Sequence, residues 1–273
     1  MLNYTYKPVQ FFLLALAITW IFGFAAAYFS YQVGKEKIIT LCLMLGLLAP
    51  ISALSFMLMS SGNQALINDF WNRLSLPSLN TSFTLSLCIM PIVLILATSI
   101  SLLCGYSADQ FSFSKELNVL QGQGLLSFCI LLLAPTLEEI GWRGYGVDSL
   151  HSYYTVFIAT IILAGLLAFW HLPLFFIKGY YQYQLWHTNI FYALNFFVSI
   201  VPATILLNWV YYTNNRNIIA VIIFHFNLNF FSVLCKTEQF TKCILTMLLC
   251  IISLIVILYN KELFFNKQFG ANI

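Results

Sequence analysis

The chain has 273 residues, of which 61% are hydrophobic, 17% aromatic and only 8% charged. Soluble domains carry about 25% charged residues, so this chain cannot present a wettable surface and lipid must be its solvent. Its net charge of +3 is spread thinly, without a basic run, which excludes a nucleic-acid binder with clustered Lys and Arg.

A membrane span needs about 20 mostly apolar residues. Eight segments qualify, at roughly 11–33, 38–59, 84–105, 124–142, 154–172, 189–212, 218–235 and 243–260. None alternates as a strand would, so the predicted fold is all-α: one integral membrane domain over residues 1–273, with about eight transmembrane helices around a polar cavity. The first segment holds Ala25-Ala26-Ala27, small residues of the kind a signal peptidase cuts beside. Its length and the single Lys7 ahead of it predict an uncleaved helix instead. Residues 61–82 scatter Phe70, Trp71, Leu74, Leu76 and Leu79 among polar groups, with Pro77 interrupting, which predicts a short interfacial helix.

The fourth segment ends in Glu138-Glu139-Ile140-Gly141-Trp142-Arg143. Ionisable groups at membrane depth are costly, by insertion scales about 2.5–3.5 kcal/mol for Asp, Lys or Arg at mid-helix. Successive helical residues turn by about 100°, so Glu139 and Arg143 share a face, with the acid ahead of the base as a good ion pair requires. Glu138 points about a quarter-turn away. Adjacent carboxylates can then divide the labour, Glu139 neutralising Arg143 while Glu138 faces a cavity. An interfacial helix end with its charges in water is the plainer alternative.

The fifth segment ends in Phe169-Trp170-His171-Leu172-Pro173, where the proline is expected to bias His171 away from helical geometry. The seventh holds His225 and Asn229, four apart on one face, with Asn227 nearly opposite as a candidate inter-helix hydrogen-bonding residue. His151 and His187 fall in polar connectors and receive no role. The seven cysteines form no CxxC pair and read as small buried apolar residues. Eight spans would divide the twelve Lys and Arg six to a side, Lys115 and Lys267 included, so charge does not orient the chain.

Together, an acid, two histidines and an amide on three helices make a hydrolytic inventory. A carboxylate and an imidazole can hold and deprotonate water, while imidazole and Asn N–H groups can donate to an oxyanion. The same side chains could hold a divalent metal such as zinc, with Glu138, His171 and His225 as candidate ligands. Residue types alone do not separate the two mechanisms. No H-E-x-x-H, G-x-S-x-G or G-x-G-D occurs.

Glu138-Glu139-x-x-x-Arg143 with Gly144-Tyr145-Gly146, Trp170-His171-Leu172-Pro173-Leu174-Phe175-Phe176, and His225-x-x-x-Asn229 resemble, in order, the three motifs of the CPBP family. These are the CAAX-processing and bacteriocin-processing membrane proteases, also called Abi proteins. The similarity covers a protease core at about 125–235. It departs at Leu167, where the second motif usually has Phe, and this bears on how the His171 ring is supported. The resemblance implies an intramembrane endopeptidase, glutamate-type or metal-dependent, acting on a prenylated, bacteriocin-like or otherwise membrane-associated peptide. It implies that Glu138 and His171 activate water, that His225 and Asn229 hold the oxyanion, and that Glu139 and Arg143 support the site. A bacterial cell membrane is the implied location, and bacteriocin maturation or self-immunity an implied role. The rival expectation is non-catalytic: a proton or solute transporter, or an immunity protein that sequesters a partner.

Overall fold

The computed structural model describes residues 4–114 and 123–266. The helices are α1 (Pro8–Ser30), α2 (Glu36–Leu47), α3 (Ala49–Ser61), α4 (Gln64–Asn72), α5 (Thr81–Leu103), α6 (Gln123–Gly141), α7 (Val147–His151), α8 (Val156–His171), α9 (Tyr181–Thr188), α10 (Ile190–Thr213), α11 (Ile218–Leu234), α12 (Gln239–Tyr259) and α13 (Lys261–Phe265). The described residues contain no strand, only an isolated bridge between Phe113 and Cys235. Lys115 and Lys267 lie outside the described residues.

The chain is an all-α membrane protein, as its composition predicts, but the count of eight spans is not reproduced. Among the described residues, α1, α5, α8 extended to Phe176, α10 and α12 are long and apolar enough to cross a membrane, and α2 with α3, bent by 41°, form either a sixth, broken span or a re-entrant pair. The bend has a local cause. Pro50 lies in the first turn of α3, where its missing N–H and its ring interrupt continuation from α2. The other two expected segments are α6 and α11. At 17 residues, α11 is about 25 Å long, short of an apolar layer of about 30 Å. α6 stops at Gly141 and passes into a π-helical turn, Trp142–Gly146.

The chain is arranged for lipid. Leu13, Ile21, Ile92 and Leu254 are each more than half exposed, while Ser101, Thr160, Asn208 and Thr241 are fully buried. The cysteines follow the same inversion. Only Cys42 is buried, and Cys88, Cys104, Cys129 and Cys250 are exposed. That corrects the expectation of buried thiols, because in a bilayer an apolar side chain is as well placed outward as inward.

α1 belongs to the core: Phe12 stacks on Trp142, which meets Trp170 edge-on, tying α1, the π-turn and α8 together. The 61–82 stretch forms the amphipathic α4, capped by Asn63, with Leu66 and Phe70 buried and Trp71 exposed. α6 packs against α3 and α11, and α10 packs against α8, α11 and α12. α10 therefore stands between the helices that carry His171 and His225.

Candidate active site

The two adjacent glutamates meet different surroundings. Glu139 is buried and uses both oxygens: Oε2 accepts from Arg143 Nη1 at 2.5 Å, and Oε1 accepts from His225 Nδ1 at 2.6 Å. The first contact follows from helix geometry. The second joins α6 to α11 across 86 positions. Glu138 is half-buried, and among the described residues no protein group hydrogen-bonds its carboxylate. Crossing of α6 over α3 needs Gly141, because a Cβ there would collide with Pro50.

The hydrogen bonds also set the imidazoles. His171 Nδ1 lies 2.8 Å from the Leu167 carbonyl, which can only accept, so Nδ1 carries the proton and Nε2 keeps a lone pair. The ring meets the edges of Trp170 and Phe196. Leu167 therefore supports His171 through its backbone, and the departure from the motif's phenylalanine leaves that contact intact. Pro173 does not push His171 out of the helix, contrary to expectation. His171 has φ −77° and ψ −12°, and Pro173 sits in the first turn of a following 3-10 helix, Leu172–Phe176, where its missing N–H is harmless. A Cβ on Gly23 would lie 2.6 Å from Pro173, so glycine lets α1 approach this turn.

His225 is partly exposed, with 17% of its side chain accessible against 1% for Glu139. It lies within electrostatic reach of both Glu138 and His171. No hydrogen bond joins Glu138 to His171 among the described residues. Asn229, half-buried, follows one turn after His225 on α11. Asn227 Nδ2 donates to the Leu87 carbonyl of α5 at 3.3 Å, an inter-helix bond of the expected kind. The Tyr180 hydroxyl, ahead of α9, also comes within electrostatic reach of Glu138.

Sequence reasoning missed two sets of polar residues. Asn208, in the C-terminal third of α10, accepts from Arg143 Nη2 at 3.1 Å and donates to Thr160 of α8 at 2.8 Å. The same rule that singled out buried charges would have found this amide, an isolated strong polar group in an apolar run. The second set lies at the chain's turns. Arg73 donates to Asp148 and to the carbonyls of Arg143 and Gly144, at 2.8, 2.8 and 2.9 Å. Arg216 pairs with Asp148 at 2.6 Å and with Asp69 at 3.0 Å. Burial pushes the Asp148 carboxyl up, but Arg216 and Arg73 outweigh it and hold it below the usual carboxylate range. A π-turn misaligns its carbonyls with the next amides, and Arg73 takes two of them.

A metal does not fit the donors as placed. No three His, Cys, Asp or Glu side chains among the described residues are spaced to hold one, so Glu138, His171 and His225 do not form a ligand set and no step is derived through a metal. The chemistry these side chains offer is acid–base: a carboxylate without a protein partner among the described residues, an imidazole with a fixed tautomer, and a second imidazole anchored to a carboxylate.

Residues 121–231 match the family described as type II CAAX prenyl endopeptidase, Rce1-like. Over 267 residues the chain is 38% identical to CAAX prenyl protease 2 of Methanococcus maripaludis, covering 97% of this chain and 98% of that protein. These similarities favour the endopeptidase over the transporter or sequestering alternatives. The chain therefore belongs to the Rce1-like CAAX protease family and is an intramembrane endopeptidase.

Proposed function

We propose that this endopeptidase hydrolyses a peptide bond in a membrane-associated peptide, with Glu138 and His171 activating the attacking water. Water held between the Glu138 carboxylate and His171 Nε2 loses a proton as its oxygen adds to the scissile carbonyl. The carbonyl oxygen becomes an oxyanion, stabilised by the Asn229 amide and by Nε2–H of His225 in its imidazolium form, whose Nδ1–H stays on Glu139. Collapse of the tetrahedral intermediate expels the amine, which takes back the proton. Glu139 holds the His225 ring by Nδ1, and Arg143 neutralises Glu139. The observation that carries this reading is the unequal use of two neighbouring carboxylates. Both oxygens of Glu139 are engaged, whereas Glu138 keeps its own for water.

The name of the archaeal relative supports a prenylated peptide ending in a CAAX sequence as substrate. The family resemblance also extends to bacteriocin leader peptides and to self-immunity. A relative of this chain is archaeal, which argues against confining the location to a bacterial cell membrane. The test is cleavage of a farnesylated CAAX peptide, with a bacteriocin leader peptide in parallel, by enzyme in proteoliposomes. Wild type is expected to cut the farnesylated peptide, and Glu138→Ala and His171→Ala to leave it intact while still folded. Full activity in either folded variant overturns the assignment.

A further inference from the structure

We infer that Asn208 is a positioning residue for this reaction, acting through Arg143 and Glu139 on the His225 ring. The inference rests on the site reading above and adds a residue from α10, a helix outside the three motifs. Asn208 is fully buried in the most enclosed stretch of α10, where Ile205 to Tyr212 are buried on every side. An amide is retained in such a place only where both its ends are satisfied. Both are. Oδ1 accepts from Arg143 Nη2 and Nδ2 donates to Thr160 Oγ1, which in turn donates to the Val156 carbonyl at 2.7 Å.

The donors run in one direction and leave no rotational choice. Arg143 can only donate, so the oxygen of Asn208 must face it. The Thr160 hydroxyl spends its proton on Val156 and must accept from Asn208. Arg143 thus has one Nη held by α10 and the other by Glu139, which fixes the plane of the guanidinium. With Oε2 pinned there, Oε1 of Glu139 faces His225 Nδ1. Thr160 lies on α8, the helix that ends in His171. The chain His225–Glu139–Arg143–Asn208–Thr160 therefore holds the histidine-bearing helices in register through α10.

The role predicts an effect on turnover rather than on substrate capture, because Asn208 contributes to where His225 sits. Asn208→Leu keeps the branched outline, with somewhat more volume, and removes both hydrogen bonds. In the farnesylated-peptide assay it should lower kcat by about 10-fold with KM unchanged. In an Arg143→Lys background, where one ammonium cannot bridge Glu139 and residue 208, the same substitution should cost little more. A residue that only supports the bundle would lower both backgrounds equally. Thr160→Val, which withdraws only the acceptor behind Asn208, should show a smaller kcat loss with the same KM, and it carries the test alone if Asn208→Leu does not fold. Unchanged kcat, or losses that multiply in the Arg143→Lys background, overturn the inference. Glu138→Ala separates the two levels. An inactive Glu138→Ala beside a fully active Asn208→Leu removes only the positioning role, whereas an active Glu138→Ala removes the site reading and this inference with it.

Discussion

Two groups of buried charges lie one turn apart in this chain and are finished differently. In one, His225, Glu139 and Arg143 are linked through Asn208 to Thr160. In the other, Arg73, Arg216, Asp148 and Asp69 pair with one another, with Tyr211 donating into the cluster. Both obey the rule that a buried charge needs a partner. The second group turns nearly all of its donors and acceptors inward, onto each other and onto the π-turn carbonyls. The first is complete on one side only. Beyond it stand the Glu138 carboxylate, the free nitrogens of two imidazoles and the amide of Asn229. The difference between a clamp and the proposed reactive site is the pairing left unmade.

That contrast can be broken at either end. Glu138→Ala should lower kcat by about 10²–10⁴-fold with an unchanged melting temperature in detergent. Parallel loss of stability would mean that Glu138 is structural as well. Asp148→Ala should do the opposite and destabilise by about 3–5 kcal/mol, because it removes the fully buried carboxylate that Arg73 and Arg216 share and leaves Asp69 alone between two buried guanidiniums. Denaturant melts that match wild type would remove the clamp. Arg73→Lys keeps the charge but not the fork onto the Arg143 and Gly144 carbonyls, and a loss of about 1–3 kcal/mol is expected.

Acid should sharpen the same distinction. The Asp148 carboxyl is held below its unfolded value of about 3.9. Its contribution is therefore present in full above that pH and fades as pH falls through the lower folded-state value. Melting temperatures taken from pH 6 downward should show an acid loss that is absent in Asp148→Asn. A chelator should have the least effect, leaving the cleavage rate unchanged, since the donors are not spaced as a ligand set. Inactivation reversed by added zinc would contradict that placement.

The departures from expectation share a pattern. Leu167 departs from the family motif, yet its carbonyl, a group every residue has, anchors His171. Pro173 was expected to disturb the histidine and instead opens a 3-10 turn beyond it. Four of the seven cysteines face outward, α11 is shorter than the span expected of it, and α6 gives way to a π-turn just after the site's glutamates. In each case a residue type was judged by its average behaviour, and a neighbouring backbone group or the lipid supplied a different setting.

The amino-acid sequence by itself determined what depends on neighbours within a turn or two. It carried the apolar runs that make an all-α membrane protein. It carried the 100° step that sets Glu139 with Arg143 and Glu138 apart. It also held the three motifs that mark the family. Tertiary structure alone decided which group takes the second oxygen of Glu139, that Asn208 holds Arg143, and that Arg73 closes the π-turn. Those contacts span 86, 65 and 70 positions. The physical reason is that helical phase is local, whereas the meeting of two side chains on different helices depends on the angle and depth at which the helices cross. Those are set by packing throughout the bundle.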